Sequence, residues 1–139
     1  MRVDALMSTP VVTVDADDRL ATLRELFQQT GFHHLVVMDA GQVRGIISDR
    51  DLLAAISPNI GTPAETAKDL ATLNKLAHQI MSRALVTLRP DEDLQTAIQR
   101  LNEHRVSGLP VINDKNQPLG ILTWRDVLRQ AEKSGFNGD

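Results

Sequence analysis

The chain has 139 residues, enough for one compact domain or two very small halves, burying roughly two-thirds of the unfolded surface. Lys plus Arg is 15 and Asp plus Glu is 18, and the resulting −3 argues against non-specific nucleic-acid binding through many phosphate contacts. Cysteine is absent, which excludes disulfides, thiolate nucleophiles and cysteine–zinc sites; no apolar run approaches the roughly 20 residues of a membrane helix, and the expected location is the cytoplasm.

In chain order, Ala5-Leu6-Met7-Ser8 is the first motif. Val11-Val12-Thr13-Val14 is a β-rich run, and Asp15-Ala16-Asp17-Asp18 after it places carboxylates where they can cap a helix. Leu20, Leu23 and Phe27, with Leu26 beside them, recur at helical spacing and leave Gln28 and Gln29 for solvent. Leu35-Val36-Val37-Met38, the turn Asp39-Ala40-Gly41-Gln42 and a run ending at Ile47 predict a hairpin. Ser48 can then cap a closing helix with Asp51 at its third position, an acidic variant of the capping box. Ser57 to Ala64, with Pro58, Gly61 and Pro63, reads as a loop, and roughly Glu65 to Gln79 as a helical lead-in.

The same order then recurs. Gln79-Ile80-Met81-Ser82 repeats the first motif, with Met7 and Met81 separated by 74 positions. Leu35 meets Leu109 and Val37 meets Val111 at that offset. One extra residue enters the second turn, and Gly45-Ile46-Ile47-Ser48-Asp49-Arg50-Asp51-Leu52 then falls on Gly120-Ile121-Leu122-Thr123-Trp124-Arg125-Asp126-Val127. Leu85-Val86-Thr87-Leu88 predicts a strand, and Pro90-Asp91-Glu92-Asp93 a capped helix start. That helix buries Leu94, Ala97, Ile98 and Leu101 and turns Asn102 and Glu103 outward. Leu109-Pro110-Val111-Ile112, the turn Asn113-Asp114-Lys115-Asn116 and a run ending at Leu122 form the second hairpin, and Thr123 with Asp126 repeats the cap. The tail from Lys133 to Asp139 is expected to fray. The expected fold is α/β (α+β by some schemes): two pseudo-symmetric β-α-β-β-α units packed through their sheets.

Met7-Ser8-Thr9-Pro10-Val11, the Gly45–Leu52 string, Ile80-Met81-Ser82, Gly108-Leu109-Pro110-Val111 and the Gly120–Val127 string together resemble a tandem pair of cystathionine-β-synthase-type (CBS) domains, a Bateman module, over nearly the whole chain. The resemblance implies domains over 1–62 and 80–139 joined by a linker and lead-in helix over 63–79. It implies a regulatory module that binds AMP, ADP, ATP or S-adenosylmethionine in clefts between its halves, forms a homodimer, and serves a regulated enzyme or transporter in trans. No catalytic cofactor, metal, membrane or nucleic acid is expected.

By the same resemblance, Ala84 and Leu85 with Ser107, Gly108, Leu109 and Pro110 line an adenine position, and Thr123 and Asp126 hold the ribose. A carboxylate can accept from both ribose hydroxyls, and Arg125, one residue earlier, can grip phosphate with two donors. The weaker cleft is Pro10, Val11, His33, His34 and Leu35 with Ser48, Arg50 and Asp51. Ala84 departs from the usual proline, and His34 and Val36 depart from the Gly-aliphatic-Pro pattern intact at Gly108, so the second cleft is the better adenine candidate. Helix capping alone is the competing role for Thr123 and Asp126, and surface pairing the competing role for Arg50 and Arg125. His104 and Arg105 are further candidates to face phosphate, and Trp124 can close over a ligand or pack. His33-His34 carries no metal-site spacing.

No P-loop, nucleophile elbow or dinucleotide loop is present, and the helix-start aspartates already have capping work, so independent catalysis is not expected. Three Phe and one Trp are too few for a nucleic-acid stacking platform. The alternative function is a structural dimerisation module that binds no nucleotide.

Overall fold

The computed structural model describes residues 1–83 and 86–134. Its elements are β1 (Thr13–Asp15), α1 (Leu20–Thr30), β2 (His34–Asp39), β3 (Gln42–Ser48), α2 (Asp49–Ala55), α3 (Ala67–Ala71), α4 (Ala77–Ile80), β4 (Ser82–Arg83), α5 (Leu94–His104), β5 (Gly108–Ile112), β6 (Pro118–Thr123) and α6 (Trp124–Ser134). The fold is mixed α/β and falls into two compact units. The first comprises Val12–Ala40 and Arg44–Arg83; the second comprises Met1–Val11, Gly41–Val43 and the described residues of Ala84–Asp139.

In the first unit the sheet order is β1-β2-β3-β4. β1 runs parallel to β2, with Val14 opposite Val37, and β4 runs antiparallel to β3. Gly31, at φ 70°, ends α1 and donates its N–H to the Phe27 carbonyl, a left-handed stop that glycine adopts without a Cβ penalty. Leu20 and Leu23 are buried with Val14, Leu35, Val37, Ile47, Leu52 and Ala77, and Leu26 and Phe27 pack against them. The apolar face read at helical spacing is therefore the core face.

The second unit repeats this plan with one strand weakened. β5 and β6 pair antiparallel from Gly108–Thr123 to Val111–Gly120. Of the expected strand Leu85-Val86-Thr87-Leu88, only Leu88 keeps a bridge, parallel to Val111; Leu85 lies outside the described residues. Proline explains the loss. In the first unit the Val36 N–H donates to the Val12 carbonyl at 3.0 Å. Pro110 stands at the equivalent place and has no N–H to offer Val86.

The lead-in expected as one helix from Glu65 to Gln79 is instead broken into α3, a 3-10 turn over Thr72–Asn74, and α4. Its backbone is engaged elsewhere. Lys75 O accepts from Leu20 N at 2.9 Å, Ala77 N donates to Asp18 O at 2.8 Å, and His78 N donates to Ala16 O at 3.0 Å. The amino-terminal segment does the same in the second unit: Leu94 N donates to Met1 O, Val3 N to Glu92 O and Asp4 N to Pro90 O, at 2.8–3.0 Å. Ala77 sits in the first core and Val3 in the second. Each repeat's leading segment thus completes the unit built on the other repeat.

This exchange gives a physical reason for the recurring Met-Ser and Gly motifs. Ser8 and Ile121 exchange backbone hydrogen bonds at 2.8 and 3.1 Å, and Ser82 pairs with Ile46. A methyl at Gly45 would lie 2.6 Å from the Ser82 carbonyl oxygen and 2.7 Å from Met81 Sδ. At Gly120 it would lie 2.6 Å from Met7 Sδ and 3.0 Å from the Ser8 carbonyl oxygen. Only glycine admits the crossing segment so closely.

Two further expectations need correction. The acidic runs make no side-chain cap bond: Arg19 rather than an acid is the N-cap of α1, and Asp93, the last residue of the second run, is the N-cap of α5 without bonding a helix N–H. The acids close the preceding turns instead, with Asp18 accepting from Asp15 N and Glu92 from Arg89 N, both at 2.8 Å. Burial works to raise the Glu92 pKa, but hydrogen bonds from the Arg100 guanidinium and Arg89 N–H outweigh it and hold the carboxyl below its ordinary value. In the tail, Lys133 and Ser134 belong to α6, and residues 135–139 lie outside the described residues. Among the described residues no helix is long and apolar enough to cross a membrane.

Candidate functional site

In the second unit, β6 delivers Thr123 directly to the first turn of α6. Thr123 donates to Asp126 Oδ2 from its N–H at 2.9 Å and its hydroxyl at 3.1 Å, and Asp126 N–H donates back to Thr123 Oγ1 at 3.4 Å. This is the acidic capping box expected from the spacing. Asp126 is only 2% exposed, an unusual burial for a carboxylate. Its other oxygen accepts the Ser8 hydroxyl at 2.7 Å and faces the Arg129 guanidinium at 3.5 Å. Every lobe of the carboxylate therefore meets a donor, two of them hydroxyls.

Ser107 and Gly108 are brought to this point. Trp124 N donates to Ser107 O at 3.2 Å, and Gly108 lies opposite Thr123 in the ladder. A methyl at Gly108 would sit 3.0 Å from Thr123 Cγ2, so the glycine keeps the backbone close to the threonine. Leu109 and Pro110 are buried, and Leu109 serves the core. Trp124 is half-buried against the same core. Arg125 is exposed, and among the described residues no carboxylate pairs with it. Ala84 and Leu85 lie outside the described residues.

The first unit reproduces the frame. Ser48 N donates to Asp51 Oδ2 at 2.8 Å and Asp51 N to Ser48 Oγ at 3.1 Å. Asp49 N donates to His33 O at 3.0 Å, matching the Trp124–Ser107 bond, and the His33 ring contacts Asp49 at 2.9 Å. His34 stands where the other unit has Gly108, and Ser48 in place of Thr123 lacks the methyl that crowds that glycine. Leu35 is buried in the core and Arg50 is exposed. Pro10 and Val11 belong to the second unit and His33, His34 and Leu35 to the first. Among the described residues no group of three or more His, Asp or Glu could hold a metal ion.

The two carboxylates differ in exposure and in partners. Asp51 is half-exposed, and among the described residues Ser82, the repeat equivalent of Ser8, makes no hydrogen bond to it. Sequence reasoning passed over Ser8 and Arg129. Arg129 could have been found as the i+3 neighbour of Asp126. Ser8 lies 118 residues away from Asp126, and only the recurrence of Met-Ser marked it. Arg105, beside His104, ends α5 at φ 52°, where Gly31 ends α1. A side chain costs free energy in that conformation.

A family profile described as CBS domain matches residues 3–58 and 77–133. A CBS domain-containing protein of Dictyostelium discoideum is 32% identical over 128 residues, covering 91% of this chain and 88% of that one. Homoserine O-acetyltransferase of Methanosalsum zhilinae is 30% identical over 121 residues, but the chain spans only 22% of its length. The chain likewise spans 45% of an uncharacterised protein of Methanocaldococcus jannaschii. Among solved structures, the CBS domain of a CBS domain-containing membrane protein from Sphaerobacter thermophilus matches with TM-score 0.78 and 28% identity over 92% of this chain and 86% of that one. The CBS domain pair of protein MJ0100, in complex with 5′-methylthioadenosine and S-adenosyl-L-methionine, shares the fold with TM-score 0.78 at 24% identity over 97% and 98% of the two chains. CBSX2 in complex with AMP shares it with TM-score 0.72 at 24% identity over 96% and 97%.

Proposed function

The chain belongs to the CBS domain family, and on that premise we propose that it is a non-catalytic regulatory module that binds an adenosyl compound, AMP, ADP, ATP or S-adenosylmethionine, at its hydroxyl–carboxylate pairs. The observation that carries the reading is the buried Asp126, which accepts hydroxyl hydrogen bonds on both oxygens. Two adjacent hydroxyls offered to one carboxylate is the pattern of a ribose diol. Ser107 and Gly108 beside Thr123 supply backbone groups for the base, and exposed Arg125 and Arg105 supply donors for phosphate. Ser48, Asp51 and Arg50 form the corresponding set in the first unit. The adenosyl ligands of MJ0100 and CBSX2 support this ligand class.

Regulation requires differential affinity for two shapes of the module, which a partner reads. A similar segment within a longer homoserine O-acetyltransferase supports an enzyme as the regulated protein, with a transporter as the alternative. A homodimer fits the surface: Leu53 on α2 and Leu128 on α6 occupy the same repeat position and are 70% and 59% exposed. Exposed leucines at matched positions favour twofold closure.

The complete internal satisfaction of Asp126 favours a second reading, a dimerisation module that takes no nucleotide. Thermal unfolding against AMP, ADP, ATP, S-adenosylmethionine and NADH separates the two. Sensing predicts a rise of several degrees at saturating concentration of one adenosyl compound, since a ligand at about 100 times its Kd adds roughly 2.7 kcal/mol. No shift with any of them at millimolar concentration favours the dimerisation module.

A further inference from the structure

We infer that the Ser8 hydroxyl is a built-in surrogate for a ligand hydroxyl at Asp126, and that a ligand occupies this carboxylate by rotating this one side chain away. The inference rests on the adenosyl-binding reading and adds its gate. Of the two hydroxyls on Asp126, that of Thr123 belongs to the helix-capping box and is fixed by the same bonds that start α6. The Ser8 hydroxyl is different. It comes from the crossing amino-terminal segment, lies 2.7 Å from Oδ1, and belongs to an exposed residue while the carboxylate is 2% exposed.

The Ser8 backbone is held independently of that hydroxyl. It exchanges two hydrogen bonds with Ile121, and Met7 and Ser8 lie against Gly120. Rotation about the Ser8 side chain therefore frees Oδ1 without detaching the segment, and serine rotamers interconvert cheaply at an exposed site. The ligand's hydroxyl then exchanges with Ser8's, one hydrogen bond for another, and gains little. In the first unit no such exchange is needed, because Ser82 makes no bond to Asp51 among the described residues. Ser8 thus makes the two repeats unequal and weakens the site that otherwise has the better adenine frame at Gly108.

The test is calorimetric titration of AMP into the full chain and into Ser8→Ala and Ser8→Thr variants, with amide hydrogen exchange at Ile121 to confirm that the backbone bridge persists. Ser8→Ala is expected to tighten one AMP site about tenfold, the scale of a charged hydrogen bond no longer given up on binding. Ser8→Thr, which keeps the hydroxyl, is expected to retain wild-type affinity. Unchanged or weaker binding to Ser8→Ala, with AMP still bound by the wild type, overturns the gate and leaves the adenosyl reading standing. Failure of AMP, ADP, ATP and S-adenosylmethionine alike to bind any of the three proteins overturns both.

Discussion

Replacing Gly45 by alanine tests why the two repeats share their glycine and Met-Ser motifs. The new methyl would lie 2.6 Å from the Ser82 carbonyl oxygen, with Met81 Sδ and Cγ at 2.7 and 2.9 Å. A backbone oxygen cannot swing aside, so β4 must move and its pairing with Gly45 and Ile46 must loosen. Overpacking of this kind costs about 1–3 kcal/mol, and a weakened hydrogen bond adds about 0.5–1.5 kcal/mol. We expect Gly45→Ala to lose roughly 2–4 kcal/mol. Gly120→Ala meets chiefly the flexible end of Met7, with the Ser8 oxygen at a less severe 3.0 Å, and is expected to lose about 1–2 kcal/mol. Urea unfolding followed by circular dichroism measures both. A Gly45→Ala loss below about 0.5 kcal/mol, or one smaller than that of Gly120→Ala, refutes the close-approach argument.

Acid should act through Glu92. Its pKa is depressed in the fold, so its stabilisation is present above the ordinary glutamate range and is lost as pH falls through the folded value. Stability profiles below about pH 4 should therefore be flatter for Glu92→Gln than for the wild type, and parallel profiles would contradict this. Arg105→Gly relieves a side chain at φ 52° and should raise stability by about 0.5–1 kcal/mol while reducing the preference for AMP over adenosine; a melting scan and paired titrations read both effects. A fragment of residues 12–83 keeps Ala77, Ile80, Met81 and β4 with the first core, whereas residues 1–62 lose them. The former should melt cooperatively and the latter should not, as circular dichroism will show.

What the sequence made legible was local or repeated. Ser48 with Asp51 and Thr123 with Asp126 form their boxes within four residues, and Leu20, Leu23, Ala97 and Leu101 are buried at helical spacing. What it hid depends on partners distant along the chain. The helix expected through Lys75 breaks because Asp18 and Ala16, about sixty residues earlier, take the N–H groups of Ala77 and His78. The second unit's first strand shrinks because Pro110 removes one donor from a pairing that the repeat otherwise preserves. The acid runs looked like helix caps, yet Arg19 takes the N-cap of α1, Asp93 holds that of α5 without a side-chain bond, and Asp18 and Glu92 close turns instead. At the candidate site, the capping box left one oxygen of Asp126 unassigned, and no rule of spacing leads from there to Ser8.

Whether this protein takes up an adenosyl molecule at all is answered directly by equilibrium dialysis with radiolabelled AMP and S-adenosylmethionine. Saturable retention of one of the two, lost in an Asp51→Ala, Asp126→Ala double variant that still unfolds cooperatively, is the predicted result. Equal concentrations on both sides of the membrane for both compounds up to the millimolar range would contradict it.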